Sequence, residues 1–405
     1  MANFNLTSAT NLFKIKYGKL SDNVYNSSNV LLGRVKKDFK FTGRQLFIPV
    51  PSSFQGGVGS GSLPTTNTAA VEDALITAKK MYATVEIDRE AIKASMTDEG
   101  SFVRGTKWIV QKAVESFMRN MSRSLFNDGT GALARGDGAT NVSGTGTSGD
   151  PYVVVLNSDT KEANIEEKDF WNYDAETTNL EVSAYVPSTD TVSLVGTSAG
   201  LAALTGVGPV LITKYFHMQG SKDNDPQGLK GVLDATSGSK YSISIARRWQ
   251  ASSQIAAGGA GLTTDLMNQA MLEIQRKSGK SPNLIMCSYT QFRKLLNLLE
   301  DQKQYSLEPR SRDLQGKVSF KGVEFMSSRG AVGVFPERFI EDDRMYFLNT
   351  DWIQIFHRPD FGWFEDDGTI FLRKASDDAY EARYGGYLET LIYPPFHGVI
   401  SGLAT

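Results

Sequence analysis

The chain has 405 residues, 40% of them hydrophobic and 22% charged, with 43 Lys+Arg against 45 Asp+Glu. That length carries about two or three domains and ample apolar material for packed cores. One cysteine excludes a disulfide framework and a thiolate-rich metal site, three histidines leave little for an imidazole site, and a net charge of −2 argues against a surface that is basic throughout.

In chain order, residues 1–50 hold eight basic side chains and two acidic ones, a local surplus of +6. Met1 to Asn11 is polar, so no secretory signal is visible and synthesis in a reducing cytoplasm is expected. A strand is expected over Phe39–Pro49. From Gln45 to Val71 no side chain is charged, and the run carries Pro49, Pro51, Pro64 and a Gly56-Gly-Val-Gly-Ser-Gly-Ser62 tip. Met81, Ala83, Val85 and Ile87 then alternate with Tyr82, Thr84, Glu86 and Asp88, the period of a strand with one covered face. Together these predict a long hairpin with no core of its own, which something outside the subunit must cover.

Residues Ser101 to Asn127 predict the strongest helix. Val110, Val114, Phe117, Met121 and Leu125 form its apolar stripe, while Arg104, Lys107, Lys112, Glu115, Arg119 and Arg123 occupy much of the remaining surface. At 1.5 Å per residue it reaches roughly 40 Å, the length of a strut. Gly129 to Gly149, with seven glycines, reads as a mobile loop. Residues 150–191 hold ten acidic and two basic side chains, a surplus of −8 and opposite in sign to the start of the chain. Strands are expected at Tyr152–Leu156, Leu180–Val186 and Thr191–Val195. Thr191 to Thr213 is uncharged, but four glycines and Pro209 break it, so it reads as strand, loop and strand and not as a membrane span. The last third alternates: a helix at Thr264–Ser278, a strand at Asn283–Cys287, a helix at Tyr289–Asp301, and strands at Met345–Leu348, Ile353–His357 and Ile370–Arg373. An aromatic, apolar tail follows at Ala379–Pro394. The fold class is α+β, a body with a long β arm.

Chemical motifs fail on context. Gly144-Thr-Gly-Thr-Ser-Gly149 has the letters of a dinucleotide fingerprint, but a strand follows where a helix is required. Ile274-Gln-Arg-Lys-Ser-Gly-Lys-Ser281 ends like a phosphate loop yet closes a helix. Asp223-Asn-Asp225-Pro-Gln-Gly228 opens like a calcium loop, with Gln227 in place of a carboxylate, and reads as a turn. Glu341-Asp-Asp343 and Glu365-Asp-Asp367 read as turn chemistry at strand edges, and Arg135-Gly-Asp137 is an adhesion tripeptide by letters only. Cys287 lies in an apolar run and reads as a buried, inert thiol. No nucleophile–base–acid constellation stands out. No catalytic, cofactor-binding or metal-ligating residue is predicted, and no enzyme is expected.

The order of elements, a basic arm, a hairpin with a glycine-rich tip, a strut helix, a β segment and an α/β body, resembles the major capsid proteins of tailed bacteriophages. These have the Hong Kong ninety-seven capsid fold. The resemblance rests on Tyr82-Ala-Thr-Val-Glu-Ile-Asp-Arg-Glu-Ala-Ile92 leading into the helix, Gln227-Gly-Leu-Lys-Gly-Val-Leu233, Tyr241 to Trp249, Pro282 to Phe292, and Tyr387-Leu-Glu-Thr-Leu-Ile-Tyr-Pro-Pro395. It implies a subunit made in the bacterial host cytoplasm that forms pentamers and hexamers and closes into the icosahedral capsid of a virion around double-stranded DNA.

The resemblance also implies a division of the chain. Residues 1–34 would be an N-terminal arm, 35–90 an E-loop hairpin lying over a neighbouring subunit, and 91–130 the spine helix of a peripheral domain. Residues 131–214 would be a β segment or insertion of that domain, 215–345 most of an axial domain, and 346–405 returning strands with the C-terminus. Contacts between subunits are expected at Phe54, Gly57, Gly59, Gly61, Leu63, Lys36, Lys37 and Arg44, and DNA-facing positions at Arg104, Lys112, Arg119 and Arg123. Besides its own copies, the implied partners are a scaffolding protein, expected as a separate chain because Met1 opens directly on the arm, a portal, a decoration protein and packaged DNA, with no membrane. Some relatives cross-link Lys to Asn between subunits; Lys36, Lys37 and Lys40 lie near the hairpin, and no partner Asn stands out. Encapsulin-like bacterial compartments share the fold but are typically shorter and lack an inserted β segment such as 150–210. An enzyme with the 45–71 loop as a lid is the reading from another class, and no residues fill its pocket.

Overall fold

The computed structural model describes residues 30–38, 45–53, 70–89, 99–300, 323–327, 330–365, 369–374 and 377–405. They form two compact units, one from Met1–Leu125 with Ile353–Leu391 and the other from Phe126–Trp352 with Ile392–Thr405.

The aromatic tail of the chain becomes the longest strand of the first unit, Ala379–Ile392. The alternating stretch Lys79–Asp88 runs antiparallel to it, from Asp88 opposite Ala379 to Lys79 opposite Leu388. Strands Ile353–Trp363 and Leu372–Arg373 also pair with it. A Cβ on Gly385 would come within 2.3 Å of the Met81 carbonyl oxygen, so only glycine lets the two strands lie this close. The strut helix spans Glu99–Phe126. Its Ala113 packs with Val85, Ile87 and Ala382 of the sheet, and its Phe117 ring meets Phe361 and Tyr384 at 5.4 and 5.1 Å between centroids.

The predicted hairpin has a different return strand. Gln45–Ser53 pairs antiparallel with Ala70–Thr77, while Met81–Asp88 belongs to the sheet above. Ala70–Thr77 alternates too, with Ala74 and Ile76 fully buried, but Glu72 and Asp73 mask the pattern in the sequence.

In the second unit six strands, Ala132–Arg135, Tyr215–Met218, Phe170–Tyr173, Leu180–Val186, Thr191–Gly196 and Tyr152–Val155, form one sheet in that order. Its two edges meet, because Asp137 N donates to Val155 O at 3.0 Å and Asn157 N to Arg135 O at 2.9 Å. The sheet is thereby closed into a small barrel without free edges. Trp171, Val182, Val192, Leu194 and Phe216 fill it, fully buried. The glycine-rich stretch 129–149 is therefore not a free loop. It supplies one barrel strand and buries Leu133, Ala134 and Val142. Gly144 shows why glycine is needed there: its φ is +89°, and a Cβ would lie 1.8 Å from Pro151 O. The uncharged stretch 191–213 also departs from expectation, since its strand leads into a helix, Ala199–Leu204, capped by the Ser198 hydroxyl, and no second strand follows.

The rest of this unit is a mixed sheet in the order Ser253–Ala256, Gly398–Ser401, Met345–Leu348, Leu284–Cys287, Gly330–Pro336, Val323–Ser327. Helices Thr264–Ser278 and Tyr289–Glu300 bury Met267, Ile274 and Leu295 with Ile285 and Phe347 of the sheet. The Thr263 hydroxyl caps the first helix and Gly279, at φ +70°, ends it, as the spacing predicts. Cys287 is in this core, where burial pushes its thiol up to about 12.

Truncating Trp171 to alanine empties the centre of the barrel and should lower stability by about 3–5 kcal/mol in denaturant unfolding of the full chain. A loss below about 1 kcal/mol would mean that the interior is not packed as described.

Candidate functional site

A cluster of half-buried charge lies in the second unit, between the barrel and the mixed-sheet body. Lys230, on the short helix Leu229–Leu233, donates to Glu341 at 2.5 Å. The other Glu341 oxygen takes Arg344 Nε, and Arg344 reaches Asp234 through Nη1. Burial alone would raise the pKa of Glu341, but Lys161, Lys230 and Arg344 around it hold it down at about 2. Beside this network is a cavity of about 120 Å³, lined by Arg135, Asp159 and Lys161 from the barrel side and by Lys230 and Glu341 from the body. Burial lowers Lys161 to about 8.

This arrangement fixes two parts of the unit against each other and contains no reacting pair. Among the described residues no cluster of three His, Cys, Asp or Glu can hold a metal. The Arg135-Gly-Asp137 tripeptide is not displayed: Arg135 is bound to Asp159, and Asp137 accepts from Ala139 N and Thr140 N in its own turn. His397 is fully buried. Its Nδ1 accepts from Asn349 N at 3.1 Å, and burial lowers its pKa to about 3.

A family model described as SU10 major capsid protein matches residues 62–359, more than half of the chain. The chain belongs to the SU10 major capsid protein family. It is a structural protein of a phage head shell and not an enzyme, and it works in the virion as one of many copies. In structure it is similar to the cyanophage A-1(L) capsid asymmetric unit, with a TM-score of 0.56, 12% identity, and coverage of 93% of this chain and 93% of that one. That likeness shows the Hong Kong ninety-seven-like fold. The capsid of an empty GTA particle (TM-score 0.48, 9% identity, coverage 93% and 91%) is also similar. So is a holo-encapsulin complex from Synechococcus elongatus (TM-score 0.45, 8% identity, coverage 92% and 87%). No curated protein matches the chain. Membership of a capsid family sets aside the lidded enzyme and puts the phage head ahead of the bacterial compartment.

In this capsid protein, the side chains singled out from sequence that fall among the described residues are those of Lys36, Lys37, Lys112, Arg119 and Arg123. Lys36 is exposed and Lys37 half-buried, in the strand Lys36–Asp38, parallel to Ile353–Trp363. Arg44, Phe54, Gly57, Gly59, Gly61 and Leu63 lie outside the described residues, as does Lys40 and the side chain of Arg104. Lys112 is exposed and paired with Glu115 at 2.7 Å. Arg119 and Arg123 are a correction: they are only 9% and 4% exposed, so they do not stand on the solvated face that the sequence predicts. The reason is that the strut helix is covered all round from Phe117 to Phe126, not along the Val110–Leu125 stripe alone. The ionic junction was missed from sequence. Glu341-Asp-Asp343 and the stretch holding Lys230 were each singled out, but 111 residues separate the partners and no spacing rule joins them.

Two acid-sensitive groups follow from these environments. Unfolded His397 titrates at 6.5 and the folded one near 3, so its stabilising contribution is complete above pH 6.5 and falls toward pH 3, by roughly 1.4 kcal/mol per unit inside that window. Glu341 is lowered from 4.5 to about 2, so its contribution is complete above pH 4.5 and is lost as the pH falls toward 2. Stability measured against pH should therefore fall in two overlapping stages. His397→Gln should flatten the upper stage. Glu341→Gln should flatten the lower one and cost about 3 kcal/mol at neutral pH by leaving buried cations unbalanced. An unchanged profile in His397→Gln would refute the first assignment.

Proposed function

We propose that this subunit closes, as pentamers and hexamers, into the icosahedral head of a tailed phage and encloses double-stranded DNA. The observation that carries this reading is the hairpin Gln45–Ser53 with Ala70–Thr77. Among the described residues its strands pair only with each other, and Phe47 and Val71 are 59% and 52% exposed. A two-stranded ribbon is marginal by itself, and exposed apolar positions on it call for cover. A neighbouring copy supplies that cover in a shell.

In this reading residues 35–90 are the E-loop, 91–130 the spine helix, and 131–214 an insertion in the peripheral domain, which supplies five of the six barrel strands, Tyr215–Met218 being the sixth. Residues 215–345 form most of the axial domain and 346–405 return to complete both. The arm 1–34 carries half of the basic surplus of the first fifty residues, and it docks on the acidic segment 150–191 of another copy. A scaffolding protein, a portal and a decoration protein are the partners, and the subunit is made in the host cytoplasm. Contact with DNA is through phosphates, non-specific and salt-dependent, with Arg104 and Lys112 as the helix cations left for it.

Light scattering with negative-stain microscopy of the full chain, alone and with its scaffolding protein, should give closed shells of megadalton mass. Deleting Ser53–Leu63 should leave the circular dichroism spectrum unchanged and lower shell yield at least about tenfold, because a small loss per contact multiplies through closed symmetry. Undiminished shells from that deletion would remove the hairpin from the assembly contacts.

A further inference from the structure

One stretch of the barrel sends its large apolar side chains outward. Val207, Leu211 and Ile212 are 79%, 53% and 45% exposed, and across 202–212 every exposed residue is Ala, Gly or one of these three. The stretch is held, not loose. Gly206 N donates to Val142 O at 3.0 Å, Val142 N to Gly208 O at 3.2 Å and Lys214 N to Leu211 O at 2.9 Å. Val210 anchors it inward, buried against Gly136, where the missing side chain leaves the room it needs. Single exposed apolar residues are ordinary, but a fixed group of them marks an interaction surface.

Charge selects the occupant. Residues 131–222 hold all six barrel strands and carry eleven acidic side chains against five basic ones, yet none of these falls in 138–149 or 191–213. The two uncharged stretches lie together, through bridges of Asn141 with Pro209 and of Val142 with Thr205. The rest of the barrel repels nucleic acid and acidic surfaces, and a basic partner is drawn to the acidic sides instead. Two barrels repel each other in the same way unless their uncharged stretches meet, and covering those desolvates no ion. The chain works as one of many copies, so a second barrel is at hand.

We infer that the stretch 202–212 docks on the same stretch of a second copy, barrel against barrel about a twofold axis. Such an isologous contact is self-complementary, so one uncharged surface serves both partners. Few residues take part, where a stable dimer needs about 20–30 a side, so the contact is weak and takes hold where copies are crowded. It adds a second contact to the shell reading, and rests on that reading only for the gathering of copies.

Cysteine trapping in the full chain tests this, because Cys287 is fully buried and does not compete. Val207→Cys and Ile212→Cys are each treated with a short bis-maleimide at about 1 mM chain, where a contact of millimolar strength is half-formed. At least one should give covalent dimers about tenfold or more above Gln219→Cys, an exposed position past the other end of the strand Tyr215–Met218. Adding Leu211→Asp to the better-linking chain should cut those dimers at least about tenfold, by placing a charge in the contact. Rising salt should leave the excess over Gln219→Cys undiminished, since no charge enters the contact. The inference is overturned if neither position exceeds Gln219→Cys, if Leu211→Asp changes nothing, or if the excess falls with salt. Light scattering on the same samples keeps the two readings apart. Shells without links remove the contact and leave the head; links without shells do the reverse.

Discussion

A carboxylate taken out of water is tolerated only when its oxygens are hydrogen-bonded and its charge is balanced. Lys230 donates a hydrogen bond to one Glu341 oxygen and Arg344 balances its charge as an ion pair at the other, and the turn that carries Glu341 organises much of the second unit. The carbonyl of Asp342 accepts from the Ser288 hydroxyl and the Gln291 amide at the start of the second body helix. The Asp343 carboxylate accepts from Gly402 N, and Ala404 O accepts from Gln291 and Lys294. One four-residue turn thus holds the short helix Leu229–Leu233, the helix Tyr289–Glu300 and the last residues of the chain in one arrangement. The barrel is seated against the same network through Lys161. Removing the central charge leaves several cations without their acid, so the cost spreads beyond one pair.

Periodicity was legible in the sequence, and partnership was not. The helix Thr264–Ser278 and the strand Met345–Leu348 have the bounds that capping and a short apolar run predict, because both signals are local to a few residues. The hairpin shows the limit. Met81–Asp88 alternates cleanly and is a strand, but which strand it meets is decided by register with Ala379–Ile392, nearly three hundred residues on. The glycine-rich stretch 129–149 misled for a related reason. Glycine marks both freedom and tight turns, and only the closure of the barrel, with Asp137 bonded to Val155, decides for turns. Arg119 and Arg123 misled because charged side chains are rarely buried, so composition places them in solvent.

Little of the capsid family's signature is a motif, and the physics explains why. A shell held by symmetry repeats each contact many times, so no single contact has to be strong. Cores tolerate extensive apolar substitution when volume and pattern are kept. A structural likeness spanning 93% of both chains at 12% identity is what such freedom produces. What must persist is the pattern: the period-two stretch, the strut helix, and close approaches where a Cβ cannot fit, as at Gly144 in a turn and Gly385 in a strand.

In the proposed head, the chain separates adhesion from steering. The run from Gln45 to Val71 is uncharged, so covering it desolvates no ion and the contact gains from apolar burial alone. Residues 150–191 carry a surplus of −8, and burying them would be costly, so they act from a hydrated surface across roughly a Debye length of 8–10 Å. The basic arm responds to that field before any contact forms, and complementary charge acts on encounter and register more than on final affinity. Rising salt would then slow assembly by weakening steering while leaving finished shells, held by uncharged surface, largely intact.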